Sequence, residues 1–220
     1  MKYRNWILCL LGFATAYGHA QENLVKVVDK DKVSNLTEIY FVQKPEKVIK
    51  QGEYELLGPD KKVYVSGKYK NNQRTGVWTF CGNSGEMSRQ FDFDKDSLVE
   101  YRWNDKDSTV MRIRTYEGWQ RKEVSSPPFP LYGDLSFILA HNLRYPEEAK
   151  KAGLKGTVVI ELRIDRTGVI VALGVKTKVD ILLDREAMRI VSQIGEWYPA
   201  IYEGKKVESD YLIPVKFGTP

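Results

Sequence analysis

The chain has 220 residues, a formal net charge of +5, two cysteines and two histidines. This length is sufficient for one large domain or two small ones. The mild positive charge argues against nucleic acid as the main partner, because binding phosphates requires concentrated positive charge. So few cysteines and histidines exclude a zinc site built from several such ligands.

The first 20 residues have the order of a secretory signal peptide. Two basic residues precede an apolar run, 6–17, and Gly18-His19-Ala20 offers a small-x-small cleavage site, with 14–16 as a competing site. As a helix the run would span roughly 18 Å, short of a hydrocarbon core of about 30 Å. We therefore expect cleavage rather than the alternative, an uncleaved membrane anchor. The mature protein would then be periplasmic, begin near Gln21 and keep a net charge of +3, since two of the 34 basic residues are lost against 29 acidic ones.

Cleavage at this site would leave one cysteine, Cys81, and one histidine, His141. No intramolecular disulfide could then form. Neither residue lies in a motif, so a packed thiol and a helix-surface imidazole are favoured over a catalytic pair. The chain also lacks a Gly-rich phosphate loop and a Gly-x-Ser-x-Gly elbow. We therefore expect a protein that is not an enzyme, with no catalytic residue, no cofactor and no metal.

Residues 21–124 have the composition of strands and turns, with little helical periodicity. A polar segment of hairpin length, 71–75, separates two strand-like pieces. A glycine followed two residues later by a large side chain recurs as Gly52-Glu53-Tyr54, Gly67-Lys68-Tyr69, Gly76-Val77-Trp78 and, in degenerate form, Gly85-Glu86-Met87. The pattern predicts a meander whose rings stack along one face. It resembles MORN-like repeats over about 52–101, and an ordinary antiparallel sheet with an aromatic core is the alternative.

Two features end this first part. Met111 and Ile113 alternate with Val110, Arg112 and Arg114 in STVMRIRT, which predicts one further strand. Three prolines then lie within SSPPFP, residues 125–130. Consecutive prolines fix an extended backbone and break helices and sheets. We therefore expect 125–130 to be a linker between two domains.

Residues 131–220 begin with two predicted helices. Asp134 can cap the first, whose apolar positions keep helical spacing. Pro146 fits the first position of a second, short helix, with two glutamates following it and Gly153 placed for a left-handed cap. A helix of two turns is not stable alone in water, so it is expected to dock on the strands that follow.

The remaining elements complete an α+β domain with the order α-β-β-α-β. Residues 156–164 alternate without a fault, and the turn 165–168 returns the chain as a second strand. Asp180 can cap the next helix, and the closing strand is SDYLIPVKF, 209–217. We expect two helices to cover one face of a three-stranded antiparallel sheet. The residues predicted to point into that core are Val158, Ile160, Leu162, Ile164, Leu183, Ala187, Ile190, Val191, Ile194, Tyr211, Ile213, Val215 and Phe217.

Many residues between 135 and 217 match one family in type and order. They are Tyr145-Pro146, Ala149, Gly153, Gly156, Asp165 to Gly168, Leu183-Asp184, Ala187, Trp197, Pro199, Gly204-Lys205-Lys206-Val207 and Ile213-Pro214-Val215-Lys216-Phe217. In these residues the chain resembles the C-terminal domain of TonB, the periplasmic end of the energy transducer of Gram-negative outer-membrane transport. The resemblance implies structural roles for Tyr145, Pro146, Gly156, Gly168, Trp197, Pro199 and Gly204.

The resemblance also implies that the domain recognises protein partners by strand addition to an open sheet edge. The partner would be an outer-membrane transporter or another envelope protein, linked to TonB-dependent transport. Pro214 favours an edge position for the closing strand, because a residue without an N–H is tolerated there, and it also limits unwanted pairing. The implied partner-binding residues are Tyr211, Leu212, Ile213, Pro214, Val215, Lys216 and Phe217.

Two departures from the family qualify this expectation. A signal sequence and a repeat region stand where the energy transducers have a membrane helix and a long proline-rich spacer, so direct energy transduction is not expected. The segment before Tyr145 is predicted to be helical rather than extended. The alternative function is that of a structural envelope protein that self-associates through the TonB-like fold, while its repeats contact membrane or cell wall.

Overall fold

The structure is a computed structural model that describes residues 24–44, 49–102 and 109–218. The predicted signal peptide lies outside the described residues. The described residues form two compact units. The first comprises 24–44, 49–79 and 89–100, and the second comprises 80–88, 101–102 and 109–218. None of the described helices is long and apolar enough to cross a membrane.

The first unit is built on a meander of seven strands that pair in chain order, as the sequence predicted. The tip of its fifth hairpin, 80–88, is part of the second unit. The strands are β1 (Leu24–Lys30), β2 (Thr37–Gln43), β3 (Lys50–Leu57), β4 (Val63–Lys70), β5 (Gln73–Cys81), β6 (Met87–Asp92) and β7 (Ser97–Tyr101).

The aromatic residues of the Gly-x-aromatic pattern form one ring cluster in this unit. Tyr54 pairs with Gly67, and Gly52 with Tyr69, across β3 and β4. The Tyr54 ring stacks on Trp78 with centroids 5.2 Å apart, and Tyr69 meets both rings edge-on. A Cβ on Gly67 would lie 2.2 Å from the Trp78 ring. Glycine therefore makes room for an aromatic ring beside the strand, and the pattern reflects packing.

In its described residues the second unit combines three helices with a five-stranded sheet and two small ribbons. The sheet order is β12-β11-β16-β8-β9. The elements are β8 (Val110–Thr115), β9 (Gly118–Glu123), β10 (Phe129–Pro130), α1 (Leu135–Asn142), α2 (Glu147–Lys151), β11 (Gly156–Ile164), β12 (Ile170–Thr177), α3 (Ile181–Ser192), β13 (Trp197–Tyr198), β14 (Ala200–Tyr202), β15 (Lys205–Val207) and β16 (Ser209–Phe217).

Three predicted helix caps and the predicted core of this unit are found in the structure. The Asp134 side chain accepts a hydrogen bond from the Ser136 N–H, and the Asp180 side chain accepts one from the Leu182 N–H, so both aspartates cap helices. Gly153 has φ +64° after α2, as expected for a left-handed cap. The residues predicted to point into the core are at most 5% exposed, except Tyr211, which is partly buried beside them.

The sheet has five strands where the sequence predicted three. The sequence places the strand of Met111 and Ile113 in the first part of the chain. This prediction is wrong, because the strand is β8 of the second unit. Met111 and Ile113 are buried with Val124 and Ala200 in a second small core. As a result β16 is the third strand in the sheet and is not a free edge along its whole length.

The proline-rich segment 125–130 is also part of the second unit. Residues 126–130 are buried, and the Phe129 ring stacks on Tyr198 with centroids 5.1 Å apart. The Ser125 N–H donates to the Ile201 carbonyl at 2.8 Å. The prolines do impose an extended backbone, but here that backbone forms short bridges to neighbouring strands, so the segment is packed rather than free.

Candidate partner-binding edge

The strand β16 is covered along one side and only partly along the other. Its nine residues pair with β11 from Ser209 to Phe217. On the other side β8 pairs with Ser209 and Asp210 alone among the described residues. The part of β16 from Leu212 onward therefore has no strand beside it within the described ranges.

The direction of the main-chain groups follows from one hydrogen bond. The Arg114 N–H donates to the Glu208 carbonyl at 2.8 Å, so the main chain of Glu208 points toward β8. Main-chain groups alternate in direction along a strand. Leu212, Pro214 and Lys216 therefore point their main-chain groups away from β11, toward the open side.

The side chains of this stretch alternate between core and solvent. Ile213, Val215 and Phe217 are at most 2% exposed, which fixes the register of β16 on β11. Leu212 is 50% exposed, and Pro214 and Lys216 are also exposed. An added strand would thus meet the main chain at the edge and the Leu212 side chain on the sheet face.

An ion-pair cluster fixes the start of β16. Asp210 Oδ2 lies 2.7 Å from Arg112 Nη1, and its Oδ1 lies 2.7 Å from Arg163 Nε. These residues are 98 and 47 positions away from Asp210 in the chain. The hydrogen bond to Asp210 raises the pKa of the Arg163 guanidinium. This cluster joins β8, β16 and β11, and sequence analysis did not find it, although the Arg residues on β8 were visible as the outward positions of that strand.

The short helix α2 is attached to the strands by Tyr145. The Tyr145 hydroxyl donates to the Leu154 carbonyl, and its ring packs edge-on against Phe217 with centroids 5.7 Å apart. The sequence predicts Pro146 as the first residue of this helix. In the structure Pro146 is the N-cap, and the helix begins one residue later, at Glu147. Ala149, a residue of α2, is fully buried. Tyr145 is therefore partly buried against the core and ties the α2 region to the end of β16.

A charged pair holds the segment between α1 and α2. Glu186 on α3 is 8% exposed and accepts hydrogen bonds at 2.7 Å from the Arg144 N–H and from Arg189. Arg189 in turn donates to the Asn142 carbonyl at 2.9 Å. The hydrogen bond with Glu186 raises the pKa of Arg189. These contacts anchor the segment that leads into Tyr145.

Gly156 and Asp184 both contact Val179. A Cβ on Gly156 would lie 2.9 Å from Cγ1 of Val179, so only glycine leaves room at the start of β11. The Asp184 carboxylate accepts the Val179 N–H at 3.0 Å. Gly156 thus packs closely against the Val179 side chain, and Asp184 holds the main chain of the same residue by a hydrogen bond.

The turn after β11 is built by Asp165 and packs on Trp197. The Asp165 carboxylate accepts hydrogen bonds from the Thr167 N–H, the Thr167 hydroxyl and the Val169 N–H. The Thr167 hydroxyl, together with these N–H groups, lowers the pKa of Asp165, although partial burial opposes them. Trp197 is 2% exposed and lies edge-on to Tyr211, with centroids 6.0 Å apart.

The last two residues of the implied structural motif lie in the segment between α3 and β16. Pro199 is buried between β13 and β14. Gly204 has φ +70° in the turn between β14 and β15, with nothing within 4 Å of a built Cβ, so its role is to form the turn. Cys81 is buried and forms no disulfide with the described residues, and His141 is half-buried on α1. Within the described ranges, no three His, Cys, Asp or Glu side chains could share a metal ion.

Comparison with known proteins identifies one segment. Residues 141–219 match the family model for the C-terminal region of the Gram-negative bacterial TonB protein. The match confirms the resemblance to that domain, which the sequence placed at about 135–217. No curated protein and no solved structure matched the chain. The resemblance of 52–101 to MORN-like repeats has no support from these comparisons.

Proposed function

We propose that the second unit binds an envelope protein by adding a partner strand to the open stretch of β16, Leu212 to Phe217. The observation that carries the proposal is the incomplete cover of this strand, since Ser209 and Asp210 are the only described residues of β16 that pair with β8. The family match over 141–219 supports it, because it covers the whole of β16.

The open stretch supplies few but sufficient hydrogen-bonding groups. Leu212 and Lys216 each offer an N–H and a carbonyl, and Pro214 offers a carbonyl alone. Main-chain bonds of this kind give affinity in strand addition, while pockets for side chains give selectivity. The exposed Leu212 side chain is the apolar contact beside this edge. The missing donor at Pro214 disfavours long, unselective pairing.

The partner would be a protein of the periplasm or the outer membrane, such as a transporter, and the chain itself would be periplasmic after removal of residues 1–20. Strand addition requires no cofactor and no catalytic residue. The partner-binding residues remain those of the closing strand, with Leu212, Pro214 and Lys216 at the interface. Tyr211, Ile213, Val215 and Phe217 support it from the core.

The test compares two substitutions at one position. Leu212→Pro removes an outward N–H, whereas Leu212→Ala keeps it and shortens only the side chain. At about 0.5 to 1.5 kcal/mol for each hydrogen bond lost, Leu212→Pro should weaken partner binding roughly threefold to tenfold. Partners are captured from envelope extract on the mature chain, identified by mass spectrometry and titrated against both variants.

A Leu212→Pro variant that keeps its circular dichroism spectrum and its full affinity would disprove strand addition at this edge. Leu212→Ala should lose less affinity than Leu212→Pro, because the main chain is intact. Analytical ultracentrifugation of the same proteins tests the alternative function. A wild-type dimer that Leu212→Pro dissociates would mean that the edge serves self-association instead.

A further inference from the structure

A row of charged residues crosses the outer face of the five-stranded sheet, next to the open stretch of β16. Directly paired residues on neighbouring strands share a face. The register pairs Arg121 with Arg112, Arg112 with Asp210, and Asp210 with Arg163. Across β9, β8, β16 and β11 the charges therefore run positive, positive, negative, positive.

Asp210 forms ion pairs with two of the three arginines. Its side chain is only 7% exposed and contacts both Arg112 and Arg163 at 2.7 Å. The Trp119 ring lies against both guanidinium groups, with its centroid 4.6 Å from Arg112 and 4.3 Å from Arg163. Arg112 nevertheless keeps 49% of its side chain exposed, so it has room for a second anion.

Arg121 is exposed and forms no ion pair within the part of the chain that the structure describes. It stands directly opposite Arg112, and like charges in that position destabilise a sheet. The neighbouring acids are already engaged: Glu123 accepts the Thr109 hydroxyl at 3.2 Å, and Glu208 lies 3.9 Å from Arg114. A carboxylate between Arg121 and Arg112 would continue the alternation of charge that Asp210 begins.

We propose that Arg121 and Arg112 bind an aspartate or glutamate of the partner peptide, next to the segment that pairs with Leu212 to Phe217. This inference rests on the proposed function. Leu212 is on the same face as Asp210 and two residues further along β16, which is about 7 Å. An acidic residue at the end of the peptide that lies beside Leu212 would therefore be close to Asp210, at the row that contains the two arginines.

The arrangement favours an acidic peptide over an anionic lipid surface. Attraction to a membrane surface typically uses about four to eight clustered basic residues. Here Asp210 already engages two of the guanidinium groups. Arg121 and the exposed part of Arg112 remain for one carboxylate, an anion for which guanidinium groups are well suited. The open strand edge beside the row also favours a peptide, because its main-chain groups can pair with another strand.

The experiment uses the full mature chain and three fluorescein-labelled peptides. Each peptide alternates threonine and valine over eight residues, with a glutamate pair at the amino end, a glutamate pair at the carboxyl end, or glutamines at both ends. We expect one of the two acidic peptides to bind about threefold to tenfold more tightly than the glutamine peptide in fluorescence anisotropy. The acidic peptide that binds more tightly shows which end of the added strand lies beside Leu212, and therefore whether the strand runs parallel or antiparallel to β16.

Arg121→Gln should remove this preference and leave the affinity for the glutamine peptide unchanged. Lys122→Gln is the matched control, because the adjacent residue points to the other face of β9, and it should keep the preference. Arg121→Gln should also leave the unfolding midpoint unchanged or higher, since it removes a like-charge pair. A lower midpoint would indicate a structural role and would overturn the inference.

The remaining outcomes separate this inference from the proposed function. Equal binding of all three peptides, weakened by Leu212→Pro, would overturn the arginine site and keep strand addition. An acidic preference that depends on Arg121 but not on Leu212 would keep the site and overturn strand addition. Absence of binding by any peptide would overturn both. Arg121-dependent binding to phosphatidylglycerol vesicles without an acidic preference would identify a lipid site and overturn the peptide site.

Discussion

Gly168 lies directly against the main chain of Trp197: a Cβ built on this glycine would be 2.0 Å from the Trp197 carbonyl oxygen. Gly168 also has φ +87°, a conformation that other residues adopt at a cost. The turn between β11 and β12 is thus packed against the segment that leads from α3 to β16. Both residues belong to the motif on which the TonB resemblance rests, and their contact gives that part of the motif a physical cause.

We predict that Gly168→Ala destabilises the second unit by about 2 to 4 kcal/mol, because the methyl group adds a clash with main-chain atoms to the unfavourable φ. Gly174→Ala is the control. Gly174 is in β12, has no positive φ and has nothing within 4 Å of a built Cβ, so this change should be neutral or slightly stabilising. Urea unfolding followed by circular dichroism measures both. Equal unfolding midpoints for the two variants would contradict the close approach to Trp197.

The pKa of Asp165 predicts one source of acid sensitivity. The Thr167 hydroxyl and the N–H groups of the turn lower this pKa below its ordinary value near 3.9. The ionised carboxylate therefore contributes stability above about pH 4, and the contribution is lost as the pH falls through the depressed pKa. Unfolding midpoints between pH 2 and pH 7 should fall less steeply below pH 4 for Asp165→Asn than for the wild type. Parallel pH profiles would show that Asp165 does not contribute.

The Glu186 and Arg189 pair should be a strong stability determinant, because Glu186 is 8% exposed and accepts a main-chain N–H as well as the guanidinium. We predict that Glu186→Gln lowers the free energy of unfolding by about 1 to 3 kcal/mol. This value is below that of a fully buried ion pair because the Arg189 side chain remains 30% exposed to solvent. Glu161→Gln removes a surface pair with Lys176, in which the side chains are 39% and 56% exposed. That control should cost less than about 1 kcal/mol. Similar losses for both variants in urea unfolding would refute the prediction.

The sequence predicted local features of the second unit well. The alternation of residues 156–164, the caps at Asp134 and Asp180 and the left-handed Gly153 are each set by a few neighbouring residues, so a local pattern reveals them. The assignment of β8 could not be made in this way. Alternation shows which face of a strand is buried, but it does not show which sheet the strand joins.

The same limit explains the proline-rich segment and the arginine row. Prolines in 125–130 do fix an extended backbone, yet whether that backbone is packed depends on residues such as Tyr198 and Ile201, far along the chain. The pairing of Arg112 with Asp210 likewise joins residues 98 positions apart. Such contacts are set by tertiary packing, and no local pattern specifies them.

The last prediction concerns the extent of the domain. The sequence predicts an α+β domain over 131–220, whereas the structure adds β8 and β9 to the same sheet. A fragment of 131–220 lacks Ile113, which is fully buried, and removes Arg112 from Asp210. We expect a fragment of 109–220 to be more stable by several kcal/mol, since burying one such apolar side chain contributes about 1.5 to 3 kcal/mol and several are lost together.

Urea unfolding of both fragments, followed by far-UV circular dichroism, measures the difference. Ile113→Ala in the longer fragment is the internal control, and it should lower the midpoint toward that of the shorter one, at a cost of about 2 to 5 kcal/mol. Partner binding gives a second measure, because without β8 the whole of β16 is an edge and can take a longer strand. The shorter fragment should therefore bind the glutamine peptide at least as tightly while being less stable. Because it lacks Arg112 and Arg121, it should show no preference for the acidic peptides. Equal midpoints for the two fragments would mean that β8 and β9 rest on the domain without completing its core.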